Sequence, residues 1–179
     1  MLEAALKDLK GNPILHELIA RVYFITENFE KSIIHNKKAA ELQPDRCFHN
    51  WSDVGLGFYR LGLQQVDNKS KHFETAFKFC RQSLEQNPSH ANAMVNMGLV
   101  YRSQPNGTGD SHKMFKAAHE ADPGNLGALV NLGCIDYEFS NYEDAAIWFL
   151  DALEVKPDDE EALCNLALAL KKTLYLDYA

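Results

Sequence analysis

A fixed period runs through this chain, and it constrains the fold more than any single residue does. An aliphatic residue followed by a small one recurs in Ile19-Ala20, Val54-Gly55, Met97-Gly98, Leu132-Gly133 and Leu166-Ala167, at spacings of 35, 43, 35 and 34 residues. In four of the five a bulky residue follows three places later: Tyr23, Phe58, Tyr101 and Leu170. A second ladder runs beside the first. Ala39, Ser83, Ala118 and Ala152 are each followed five residues later by proline, at Pro44, Pro88, Pro123 and Pro157. Self-similarity at such a period marks an array in which one supersecondary unit is repeated.

Each position in the phrase has a physical reason. A Gly or Ala within a helix lets a neighbouring helix approach closely, and large apolar residues one turn to either side fill the remaining space. The later Ala or Ser does the same for a second helix. The proline cannot continue that helix and suits the first turn of the next, so it punctuates the link between repeats. One such hairpin cannot bury its own apolar face, and stacking on a neighbour becomes obligatory.

The pattern resembles the tetratricopeptide repeat (TPR), a helix-turn-helix unit of about 34 residues with Leu-Gly, Ala, Phe, Ala and Pro at set offsets. The fullest copy spans 126–159, where Leu129, Leu132, Gly133, Ala145, Phe149, Ala152 and Pro157 fall on the family positions and Asp136 stands where an aromatic is usual. Residues 13–46 form a first repeat with Ile19, Ala20, Tyr23, Ser32, Ala39 and Pro44, although His16 and Asn36 occupy two usually bulky places. Residues 48–90 form a second, with about nine extra residues within 61–72, and residues 91–125 a third, whose turn is the Gly-, Pro- and Asn-rich stretch from Gln104 to Asp110. Flanking these are a half-repeat helix at 2–12 and a half-repeat or capping helix at 160–179, so that 1–179 reads as a single array. The resemblance implies an all-α, right-handed superhelical α-solenoid. The apolar tail Leu174-Tyr175-Leu176-Asp177-Tyr178 favours a fragment of a longer array, or a docking surface, over a solvated cap.

In the family the first helices line the concave face, which directs attention to the residues just before each small-residue phrase. Asn96, Asn131 and Asn165 keep strict phase there. Asn is a middling helix former that competes for its own backbone, so its recurrence inside three helices needs a reason. A carboxamide both donates and accepts, as a peptide backbone does, and a ladder of them would grip an extended chain whatever its side chains. Hydrogen bonds between neighbouring helices account for the same residues equally well. Beside the ladder, Asn92, Leu99, Cys134 and Leu168, with Tyr59, Arg102 and Tyr137 further on, offer the apolar, aromatic and Arg points from which binding hot spots are drawn. Packing between repeats is the alternative for the more buried of these. The places at which some family members clamp the C-terminal carboxylate of chaperones hold Glu17, Arg21, Asp53, Asn92 and Asn96 here; lysines are absent and acids are present, so that subclass is disfavoured.

Composition narrows the partner. With 18 Lys+Arg against 25 Asp+Glu the net charge is −7, which repels a phosphate backbone, so nucleic acid is not the expected partner. Neither a signal peptide nor a membrane-spanning run is evident, and a cytoplasmic setting without a membrane partner follows as the expectation. The four cysteines and seven histidines fall in no metal-ligand spacing, and there is no phosphate loop or nucleophile elbow. The expectation is a scaffold or adaptor that binds a protein or peptide, with no catalytic residues, metal or cofactor. Its rivals are a structural module that self-associates through exposed end helices and the regulatory domain of a fused or partner enzyme.

Overall fold

A computed structural model describes residues 11–177. The helix expected over 2–12 lies almost wholly outside them, as does Tyr178. The described chain folds into nine helices: α1 (Pro13–Ile25), α2 (Phe29–Leu42), α3 (Phe48–Gln64), α4 (Lys69–Gln86), α5 (Ala91–Arg102), α6 (Thr108–Ala121), α7 (Leu126–Glu138), α8 (Tyr142–Val155) and α9 (Glu160–Asp177). Short 3₁₀ turns at Pro44–Arg46 and Val66–Asn68 join some of them, and no strand occurs among the described residues. The helix starts obey capping chemistry. Asn12, Asn28 and Asn125 accept from the backbone N–H groups of Leu15, Lys31 and Ala128 at 3.3, 3.2 and 3.0 Å, and Pro13 occupies the first turn of α1. The turns from α1 to α2 and from α7 to α8 reverse at the same repeat position, where Glu27 and Ser140 adopt left-handed φ values of 57° and 66°.

The helices gather into two compact units, one up to Val100 and the other from Tyr101. In the first, Phe29, Ile33, Val54 and Leu61 form one buried cluster, and Phe73, Ala76 and Val100 a second. Phe58 stacks on Phe79 with centroids 5.7 Å apart, and Lys37 lies 4.8 Å above the Phe79 ring. In the second, Leu129, Val130, Ala145, Phe149 and Ala152 are buried together with Ala162 and Ala169 of α9.

The reason for the small-residue ladder is visible in both units. A methyl group built on Gly133 would lie 2.6 Å from the Phe149 ring, and one built on Gly55 would lie 2.5 Å from Cys80 Sγ. Phe149 and Cys80 occupy the same repeat position, three residues before Ala152 and Ser83. In these two repeats the glycine of the first helix faces that position of the second helix, and its lack of bulk is what admits the larger group. Asp136, the departure from the aromatic pattern, accepts a hydrogen bond from Trp148 Nε1 at 2.9 Å and so ties α7 to α8.

Two elements depart from the repeat. The extra residues at 61–72 make no long loop: α3 runs to Gln64 and α4 starts at Lys69, so the insertion lengthens both helices of the repeat. Residues 63–72 contain neither Gly nor Pro, and only the short stretch from Gln65 to Asn68 interrupts the helices. In α9, Leu163, Leu166, Ala167 and Leu170 take the repeat positions of Leu129, Leu132, Gly133 and Asp136. Only Leu166 is half-buried, whereas Leu163, Ala167 and Leu170 are exposed, and the helix buries Ala162 and Ala169. Those exposed positions are ones that a second helix covers elsewhere, and no described element covers them here.

Candidate functional site

The first unit holds a cleft of about 410 Å³. Its walls come from α1 (Glu17, Arg21, Phe24), α3 (His49, Asn50, Asp53) and the first turn of α5 (Asn92), and its floor from Ala20 and, on α2, Asn36. The cleft has a cause in the repeat pattern. Asn36 stands three residues before Ala39, the place taken by Cys80, Phe115 and Phe149 in the later repeats. Phe115 and Phe149 bury entire rings there. In the first repeat the shorter carboxamide leaves space between α1 and α2. Asn36 is only 5% exposed, and its carboxamide hydrogen-bonds to no described residue. Its polar atoms open to the cleft, where they are available to a ligand group.

The other polar groups of the cleft are held firmly. Asn50 is buried and donates from Nδ2 to Glu17 Oε1 at 3.1 Å, which fixes that carboxylate. Asp53 is exposed along one side of the cleft and surrounded by protein on the others. Loss of water around it raises its pKa to about 6, with Arg21 pulling it down and Glu17 pushing it up. Arg21 makes no salt bridge with it among the described residues. At the end of the cleft Ser83 Oγ donates to the Phe48 carbonyl at 2.7 Å, so at its 2.9 Å contact with His90 Nδ1 it accepts. His90 Nε2 is then the bare nitrogen, and it accepts from His49 Nδ1 at 3.0 Å. Burial, with His49 as a second cause, lowers the His90 pKa to about 4. It sits there as a neutral strut between α3 and α4.

The second unit has a smaller cleft of about 110 Å³, lined by Arg102, Cys134, Tyr137, Asn165 and Leu168 together with Glu138 and Phe149. Five residues singled out from sequence thus meet in one place. Arg102 pairs with Glu138 and donates from Nη1 to Asn131 Oδ1 at 3.2 Å. Burial pushes the Cys134 thiol up, against the neighbouring Arg102 charge that lowers it.

The three phased asparagines have three different roles. Asn96 is 6% exposed and donates to Ser52 Oγ and to the Ser52 carbonyl at 3.0 and 3.2 Å, so it ties α5 to α3 and does not face the cleft. Asn131 donates to the Gly127 carbonyl of its own helix at 2.8 Å while accepting from Arg102. Asn165 has only a weak contact, 3.6 Å from Nδ2 to Cys134 Sγ, and its carboxamide lines the cleft. Of the remaining expected residues, Asn92 lines the first cleft, Tyr59 stacks on Phe73 at 5.6 Å, and Leu99 is half-buried. Sequence reasoning missed Asn36, Asn50, His49 and His90. The signal for Asn36 was its polarity at a bulky position.

No family model matches the chain. A thermophilic TPR protein of Thermus thermophilus superposes with a TM-score of 0.79 at 19% identity, over 94% of this chain and 87% of that one. The chain has the tetratricopeptide-repeat fold. MamA superposes with a TM-score of 0.60 at 17% identity, over 87% of this TPR chain and 85% of its own. Among curated sequences, Superkiller protein 3 of Schizosaccharomyces pombe is 23% identical over 94% of the TPR chain, and the human protein O-mannosyl-transferase TMTC3 is 25% identical over 65% of it. The TPR chain spans only 15% and 13% of the lengths of these two relatives. No helix among the described residues is long and apolar enough to cross a membrane.

Proposed function

We propose that this TPR chain is a non-catalytic adaptor that holds an extended peptide segment of another protein in the cleft over Asn36. The observation that carries the reading is the Asn36 carboxamide, without a bond to any described residue and open to a polar cleft, at a position where the third and fourth repeats bury the Phe115 and Phe149 rings. A carboxamide there matches the amide groups of a peptide backbone. The carboxamides of Asn50 and Asn92 border the same space. Arg102, Tyr137, Asn165 and Leu168 of the second unit are a separate contact set, with Cys134 as part of the wall. A TPR fold serves protein interaction whichever of these residues take part.

Restoring the ring tests the reading. Asn36→Phe fills the cleft floor; because Ala20 carries the Cβ that Gly133 lacks opposite Phe149, the ring must shift, and stability is expected to fall by about 1–3 kcal/mol with the fold retained by circular dichroism. Peptides selected from a library of random linear sequences on the wild type should bind this variant at least about tenfold more weakly, measured by fluorescence anisotropy. Undiminished binding would remove the cleft from the account.

A second reading has its own observation. Leu163, Leu168, Leu170 and Leu174 of α9 are between 46% and 58% exposed, an apolar surface of the kind that mediates association. If that surface joins copies of the chain, light scattering will show a mass that rises with concentration and falls on Leu170→Glu substitution. A mass that stays monomeric over the whole range eliminates this reading.

A further inference from the structure

The cleft chemistry goes further than a preference for peptide backbone, and resting on the peptide-binding reading above, it specifies a side chain. We infer that the cleft of the first unit receives a basic residue, Lys or Arg, of the bound peptide, with its cationic head between the carboxylates of Glu17 and Asp53 and in reach of the Asn36 carboxamide.

Four observations converge on this. Glu17 is held in place by the buried Asn50, so one anionic acceptor is preorganised at no cost in side-chain freedom when ligand arrives. Asp53 faces the same space from α3, and its carboxylate is destabilised by poor solvation and by Glu17, which a cation placed between the two would relieve. The unpartnered Asn36 carboxamide supplies an acceptor below. Phe24, half-buried in the wall, offers an aromatic surface against which the methylene stem or the charge of a basic side chain packs.

The charges that oppose this arrangement are few. Arg21 is the cation of the cleft lining, and it is exposed and makes no salt bridge with Asp53 among the described residues, so its side chain can swing to solvent. His90 is kept neutral by burial and by its bond with His49. An anionic peptide terminus, by contrast, would meet two carboxylates. The net charge of −7 favours approach of a basic segment from a distance as well.

The test is a parallel selection of random linear peptides on the wild type and on the Glu17→Gln/Asp53→Asn double variant, with the fold of each checked by circular dichroism and thermal unfolding. Both replacements keep size and hydrogen-bonding capacity. The expected result is a fixed Lys or Arg position in peptides selected on the wild type, absent from those selected on the variant. Replacing that Lys by norleucine, or that Arg by citrulline, should weaken binding to the wild type about tenfold or more and leave binding to the double variant within about twofold. Peptides that bind the wild type, lose affinity on Asn36→Phe and show no fixed basic position would overturn this inference and leave the peptide-binding reading standing. A basic preference that persists on the double variant would also overturn it, by pointing to the general acidity of the surface. Failure to select any peptide that competes for the cleft would overturn both.

Discussion

Truncation of Phe149 to alanine should destabilise the second unit by about 3–5 kcal/mol, the range for removing a buried ring that cannot be replaced by collapse of its surroundings. Phe149 is 1% exposed and packs within the cluster of Leu129, Val130, Ala145 and Ala152. Its ring also sits so close to the backbone of α7 that a methyl group on Gly133 would be 2.6 Å away. The close approach of α7 and α8 already uses the space that a relaxing helix would need, so a cavity remains. Chemical denaturation followed by circular dichroism measures the loss. The same ring borders the smaller cleft with Cys134 and Leu168, so peptides that use that cleft should bind Phe149→Ala poorly as well. A loss below about 1 kcal/mol would mean that the small-residue ladder does not set the packing of this hairpin.

The second large effect is on the pH dependence of stability, where two groups of the first unit act in opposite directions. His90 has a folded-state pKa lowered from 6.5 to about 4. At pH 7 it is neutral in both states and contributes no difference. As pH falls through 6.5 the unfolded chain takes up a proton that the folded chain refuses, and stability is lost progressively until about pH 4, where the folded chain also protonates. At about 1.4 kcal/mol per unit, the loss is at most about 3 kcal/mol, and screening by the solvent of the cleft makes it smaller. Asp53 runs the other way. Its folded pKa is raised from 3.8 to about 6, so the folded chain gains a proton first and stability rises as pH falls from about 6 to 4. That gain is the smaller of the two, because the Asp53 carboxylate is exposed along one side of the cleft and more strongly screened.

The groups facing these two from the packed elements are Glu17 and Arg21 on α1 and His49 on α3. Removing Asp53 should therefore unmask the histidine. Asp53→Asn is expected to lose stability between pH 7 and 4 more steeply than the wild type, and the double variant His90→Gln/Asp53→Asn to lose that added steepness. Urea denaturation at closely spaced pH values measures both slopes. Parallel curves for wild type and Asp53→Asn would contradict the assignment.

Much of this architecture was legible in the sequence because it is written in periodic steric terms. A Gly that must admit a ring and a proline that must end a helix are local demands, and the phrases from Ala20 to Ala167 and from Ala39 to Ala152 state them repeatedly. The site was less legible, because its chemistry depends on which residue lies opposite. Asn96, Asn131 and Asn165 are in phase, yet one meets Ser52, another Arg102 and the third Cys134. The small Ser52 lets Asn96 sink into a helix interface, and a charged Arg102 engages Asn131. Periodicity fixes where a residue sits on its own helix and says nothing of that opposite side chain. Asn36 was visible as an irregularity, but its meaning required seeing that α1 and α3 bring Glu17, Asn50 and Asp53 around the same space. At α9 the phrase around Ala167 keeps the repeat spacing without a described second helix, and burial follows the helix that is present.

The most direct test of the central claim is to follow the Asn36 side-chain amide by NMR while a selected peptide is titrated into the protein. The account predicts that this resonance moves with saturation, together with backbone amides of Ala20–Phe24 and Asn50–Leu56. Shifts confined to residues outside the cleft, such as the exposed Ile34 on α2 and Lys78 on α4, with the Asn36 amide unmoved, would contradict it.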